Sequence, residues 1–164
     1  MTNSPADLPV HVHFLSTTNT SALVNDRPET RERSRMPLSP ADITEIQLLY
    51  SAYCHLIDDG DAAAFANLFV PEGVLTSGGH PLVGTASLEK FATSVPLRTP
   101  GIRHVMVNIH VDGDGDHADG RAYLLAYTGS SEGPVMRATG CYRDSLQRVG
   151  GSWKFVKRDF TMDR

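Results

Sequence analysis

Cysteine is nearly absent from this chain: Cys54 and Cys141 are the only two in 164 residues. They lie far apart and form no CxxC pair, so a disulfide scaffold is set aside and the thiols read as small buried hydrophobes. No apolar run approaches the ~20 residues that a membrane span needs. The N-terminus lacks the charged-then-apolar pattern of a secretory signal, and a cytoplasmic protein is expected. Fifteen Lys and Arg against nineteen Asp and Glu give a net charge of −4. No basic stretch is dense enough to grip a phosphate backbone, which removes nucleic acid from the expected partners. The usual cofactor handles are missing too: there is no GxGxxG after a strand, no P-loop and no HExxH. "DGDGDH" (112–117) fails as a calcium loop. Asp112, Asp114 and Asp116 fit the first three ligand positions, but His117 stands where glycine is needed and Tyr123 where the closing glutamate belongs. It reads as a solvated hairpin turn, and neither metal nor cofactor is expected.

What remains is ordinary soluble material, 40% hydrophobic and 21% charged, enough for one domain with a real core. Residues 1–36 stand apart. "TTNTSALVNDRPETRERSR" is polar and aperiodic, and a flexible N-terminal extension is expected there. "VHVHFL" (10–15) suits a short strand, its His11-x-His13 pair is a weak metal motif without expected function, and Met36 is a plausible alternative start. The domain itself is expected over 37–164.

Ser39, Pro40 and Asp42 spell an N-cap, a first helical position and a capping box. Ile43, Ile46, Tyr50, Tyr53 and Ile57 then recur at helical spacing, and Gly60 ends the helix. Asp61 can cap a second, short helix with Phe65, Leu68 and Phe69 inward, stopped by Pro71. "GVLTSGG" and "HPLVG" read as a short strand and a turn, and "TASLEKFATSV" as a third helix. After Pro100 come four β-like runs between Gly/Asp turns. The expectation is an α+β domain whose helices cover one face of a strongly curved, mainly antiparallel sheet. The mouth of such a cone suits a small molecule.

Three aspartates crowd the first helix junction. Asp61 is the cap and Asp59 points to solvent. Asp58 lies roughly 140° around the helix from Tyr53, on the flank of the apolar stripe, and is the carboxylate left without a structural task. On the strand after Pro100, alternation puts Arg103, Val105, Val107, Ile109 and Val111 on one side, as core or oligomer interface. His104, Met106, Asn108 and His110 fall on the other, as the lining of a cavity.

Three patterns carry a resemblance: Y-x4-D-x-G-D-x3-F-x2-LF across the first two helices, RH-x3-N-x2-V-DGD on the long strand, and G-x-Y-x-D-x-L-x-R with GG-x-W-x-F-x2-R at the end. Together they resemble the SnoaL-like branch of the nuclear transport factor 2-like superfamily over about residues 39–160. The resemblance implies a cone-shaped α+β barrel, a homodimer or homotrimer, and a small-molecule partner. By the same resemblance Tyr53, Asp58 and His104 occupy catalytic positions, and Arg158 on the last strand is an accessory candidate. Phe65, Phe69, Met106, Asn108, His110 and Tyr127 join Arg158 as candidate substrate-binding residues. The implied activity is a cofactor-independent dehydratase, isomerase or cyclase acting on a hydrophobic oxygenated compound such as a polyketide or steroid-like ring. Asp58 would orient His104 as proton shuttle, or act as the base itself, and Tyr53 would donate to the developing enolate. A non-catalytic ligand-binding module or accessory subunit with the same fold is the competing reading.

Overall fold

The computed structural model describes residues 36–164. The expectations for the extension, including the strand at 10–15 and the His11/His13 pair, fall on residues 1–35 and lie outside the described residues. The first helix, α1 (Pro40–Asp59), begins at the expected capping box: the Asp42 amide donates to Ser39 Oγ at 3.2 Å and the Ser39 amide to Asp42 Oδ2 at 2.9 Å. It ends at Gly60, whose φ of +71° closes the helix with its N–H on the Leu56 carbonyl. Ile46, Leu49, Tyr50, Tyr53, Cys54 and Ile57 are its buried side chains. Asp61 caps α2 (Ala62–Ala66) by accepting from the Ala64 amide.

That helix stops earlier than expected. Phe69 already belongs to β1 (Phe69–Ser77), so Pro71 sits inside a strand and does not terminate a helix. The ladder between β1 and β6 is interrupted between Phe69 and Val74, where a residue without an N–H costs no strand hydrogen bond. β2 (His80–Val83) and α3 (Gly84–Arg98) follow, then β3 (Ile102–Asp114), β4 (His117–Thr128), β5 (Val135–Val149) and β6 (Ser152–Met162). The sheet order is β2-β1-β6-β5-β4-β3, and β1 runs parallel to β6 while the other neighbours are antiparallel. The α+β class stands: β1 is longer than the short strand expected at "GVLTSGG", β2 forms where a turn was expected, and β1 pairs in parallel with β6.

One core lies between the helices and the inner face of the sheet, built on Tyr53, Phe65, Phe69 and Phe155 with the inward residues of β4 and β5. Val105 is 37% exposed and lies on the outer face with Tyr123 and Leu125, so the core reading of that aliphatic row is corrected there, while Ile109 and Val111 beyond the bulge pack against the core. Two bulges matter for function. On β3, Val107 pairs with Tyr123 and His110 with Arg121, so Asn108 and Ile109 together oppose Ala122. Asn108 takes a φ of +53°, a conformation asparagine tolerates better than most side chains. On β5, Ala138 pairs with Ala126 and Met136 with Tyr127, which leaves Arg137 as the extra residue. Among the described residues, no helix is long and apolar enough to cross a membrane.

Candidate active site

Asp58 and His104 meet where the end of α1 packs on the start of β3. Asp58 Oδ1 lies 2.5 Å from His104 Nδ1, and Oδ2 accepts the His104 backbone N–H at 3.0 Å. A single carboxylate therefore holds both the strand and the ring of the same residue. The site is sheltered, with the side chains of His104 and Asp58 only 10% and 6% exposed. An acceptor at Nδ1 places the ring proton on that nitrogen and leaves Nε2 with its lone pair, the form a general base needs. Gly60 makes this possible. By ending α1 just past Asp58, it lets the last turn present the carboxylate to β3 despite its 140° offset from Tyr53.

His104 lines a cavity of about 400 Å³ shared with Tyr53, Tyr142, Phe91, Leu124 and Phe160. Asp58 is absent from that lining and faces a neighbouring cleft with Met106 and Tyr127. His104 lines both hollows and so stands at the boundary between the Asp58 cleft and the cavity. Inside, the hydroxyls of Tyr53 and Tyr142 approach to 3.4 Å. Two phenols that share one hydrogen bond use one proton, and the second is free for an oxygen in the cavity.

Behind the two phenols sits Arg158, fully buried. Its guanidinium carbon lies 4.0 Å from the Tyr53 ring centre, 3.9 Å from that of Tyr142, 4.4 Å from Phe155 and 4.7 Å from Tyr50. Asp144 accompanies it at 3.5 Å and accepts the Tyr50 hydroxyl at 2.5 Å. Burial drives the phenols of Tyr50, Tyr53 and Tyr142 above the ordinary value of 10.0, against the opposing pull of Arg158. All three remain neutral donors at physiological pH. A phenol whose folded-state value exceeds its unfolded value binds its proton more tightly in the folded protein. Its contribution to stability is therefore full below pH 10 and is lost as the pH rises beyond it. In an alkaline titration followed by phenolate absorbance, at least three of the five tyrosines are expected to ionise only together with unfolding. Reversible ionisation of three or more in the folded state would contradict this.

The SnoaL-like domain family matches residues 39–159. This chain belongs to that family. Among solved structures, the SnoaL-like chain is similar to Rv3472, a protein of unknown function from Mycobacterium tuberculosis, with 27% identity over 77% of this chain and 79% of that one and a TM-score of 0.72. Aln2 from a Streptomyces species is 27% identical over 77% of this chain and 94% of that one, with a TM-score of 0.70. A candidate aromatic ring hydroxylase from Novosphingobium aromaticivorans is 28% identical over 77% and 92%, with a TM-score of 0.68. A search of curated proteins finds no match.

Of the residues singled out from the sequence, the SnoaL-like fold brings Asp58 to His104 and places His104 and Tyr53 on one cavity. The others scatter. Phe65 and Phe69 are buried in the aromatic core and line neither the cavity nor the Asp58 cleft. Arg158 is sealed behind the tyrosines and out of reach of a ligand, its Nη2 donating to Met106 Sδ at 3.0 Å. Met106 and Tyr127 border the Asp58 cleft and not the cavity. Asn108 and His110 are exposed, because the bulge shifts the alternation and brings Ile109 inward in their place. Tyr142, Phe91, Phe160, Arg98 and Arg137 also line the cavity, beyond the residues that the sequence suggests for it. Tyr142 was available in principle, since the alternation of "GCYRDSL" gives Tyr142, Asp144 and Leu146 one face.

Proposed function

We propose that this SnoaL-like protein is a small-molecule lyase or isomerase that moves a proton next to a carbonyl. The observation that carries the reading is the two-point lock of Asp58 on His104, which fixes one ring tautomer at the wall of a cavity that also holds two neutral phenols. Both carboxylate oxygens of Asp58 are engaged by His104, and this favours His104 as the base with Asp58 as its orienting partner.

His104 Nε2 takes a proton from the carbon beside a carbonyl, and the electron pair of the broken C–H bond moves into an enolate. The unused phenol proton of the Tyr53–Tyr142 pair donates to the enolate oxygen. A donor that stays protonated because it is buried suits that role, since the charge develops only as the reaction proceeds. Where the substrate has a hydroxyl β to the carbonyl, the imidazolium returns its proton to that oxygen, water leaves and an alkene remains. Where it has none, reprotonation at another carbon gives an isomer, and attack of the enolate on a second carbonyl gives ring closure. The apolar walls, Phe91, Leu124 and Phe160, suit a hydrophobic ring compound. The ring-hydroxylase candidate from Novosphingobium aromaticivorans is named for aromatic rings, which agrees with that substrate class.

The test is exchange of the α-protons of a cyclic ketone, 2-tetralone, in deuterated water followed by proton NMR. Protein-dependent loss of the α-proton signal is the expected result. No exchange above buffer, with the ketone shown to be bound by shifts of the His104 ring signals, would remove the catalytic reading and leave a ligand-binding module.

A further inference from the structure

We propose that the cavity takes a ring compound bearing a carboxylate, held at the mouth by Arg98 and Arg137. The proposal rests on the reading of this cavity as the substrate site and adds the charge class of what enters it. Both arginines line the same cavity as His104 and Tyr53. Arg98 closes the last turn of α3, and Arg137 stands near the start of β5. Among the described residues neither takes part in an ion pair, and no aspartate or glutamate lines the cavity. Asp58, the acidic group nearest the site's chemistry, lies across the His104 ring with both oxygens already engaged.

Arg137 owes its place to the bulge. In regular alternation it would have a partner across the ladder, but the pairings of Met136 with Tyr127 and Ala138 with Ala126 leave it as the extra residue, a device that re-aims a side chain. Its Nε donates to Thr128 Oγ1 at 2.9 Å. One edge of the guanidinium is thereby anchored and the two Nη groups remain, the fork that matches a carboxylate. Arg98 stands 6.0 Å over the ring of Phe91, itself a cavity wall, so cation and apolar surface are joined on one side. The hollow on the outer face of the sheet shows the contrast. There Arg121, Arg143 and Lys157 share the lining with Asp112, Asp119, Asp144 and Asp159, so carboxylates offset the cations. In a chain of net charge −4, two cations without counterions among the described residues at one mouth focus an attractive field for an anion. With its carboxylate on the arginines, a bound molecule directs its ring inward, toward His104 and the two phenols.

Isothermal titration calorimetry with 6-hydroxy-2-naphthoate and its neutral amide, 6-hydroxy-2-naphthamide, tests this without any turnover. The wild type is expected to bind the acid about tenfold more tightly than the amide, the size of one or two charge-assisted contacts at a partly exposed site. In Arg98→Gln/Arg137→Gln the preference is expected to vanish while amide binding is unchanged. If the wild type binds acid and amide equally, with both shifting the His104 ring signals in NMR spectra, the anionic class is overturned and the site reading stands. If neither compound shifts His104, the site reading falls and takes this proposal with it. A double variant that keeps the full preference places the carboxylate elsewhere and overturns the assignment.

Discussion

In Asp58→Asn, the protein-dependent exchange of 2-tetralone α-protons is expected to fall by about 100-fold or more, with the fold retained, and His104→Gln is expected to fall at least as far. The reason is a proton count. Two donors converge on Asp58, the backbone N–H and the ring Nδ1–H of His104, at 3.0 and 2.5 Å. A carboxylate accepts both. A carboxamide of the same shape has one accepting oxygen and one donating nitrogen, so it can serve only one of them. The backbone N–H has no other tautomer and keeps the oxygen. The amide nitrogen then faces Nδ1, which must accept, and the ring proton moves to Nε2. The lone pair needed for catalysis ends on the wrong side of the ring. Long-range proton–nitrogen NMR reads this directly: Nδ1–H in the wild type, Nε2–H in Asp58→Asn. A variant with the switched tautomer and an unchanged exchange rate would move the role of base away from His104. Retained exchange in His104→Gln would give that role to Asp58.

Much of this site was legible in the sequence, for local reasons. The capping box, Gly60 and the cap at Asp61 obey short-range rules, and together they fixed where α1 ends. With Asp61 as the cap and Asp59 pointing to solvent, Asp58 stands out. His104 followed from its position at the start of a long strand and from the resemblance. The losses have two physical causes. A bulge shifts side-chain alternation by one residue, and nothing in "VNIH" announces that Asn108 adopts a φ of +53°. Regular alternation places Asn108 and His110 on the cavity side, whereas they face outward and Ile109 packs against the core. The second cause is long-range packing. Arg158 has the composition of a surface or substrate-binding residue, and only the convergence of Tyr50, Tyr53, Tyr142 and Phe155 from two helix turns and two strands makes it a core residue. Arg137 was passed over for both reasons, since a bulge aims it and a distant helix completes the cavity it borders. The parallel pairing of β1 with β6 joins segments about 80 residues apart, which no local pattern encodes.

Arg158→Met is expected to cost about 3–5 kcal/mol of folding stability, the usual penalty for breaking a buried ion pair from one side. For a domain of this size the thermal midpoint should drop by roughly 10 °C or more. Burial works against the charge of Arg158, and the Asp144 carboxylate beside it favours that charge. Burial raises the carboxyl of Asp144, while Arg158 and the Tyr50 hydroxyl pull it down. Without the arginine, desolvation and the Asp159 charge oppose the ionised carboxyl with the Tyr50 hydroxyl alone against them, and the carboxyl has to bind a proton or stay charged in the core. Among the described residues, Arg158 Nε and Nη1 and Asp144 Oδ1 have no hydrogen-bond partner even now, so the pair is held by charge and by the surrounding ring faces more than by bond geometry. A double-mutant cycle separates the two contributions. Asp144→Asn keeps an acceptor for the Tyr50 hydroxyl but leaves the arginine uncompensated. Arg158→Met/Asp144→Asn removes both charges at nearly constant volume and should lose clearly less stability than the two single variants added together. Strict additivity in urea denaturation would mean that Arg158 is stabilised by the aromatic rings alone. In that case the loss in Arg158→Met should track the packing of Tyr53 and Tyr142, and the paired hydroxyls that face the cavity would depend on a cation they never touch through their oxygens.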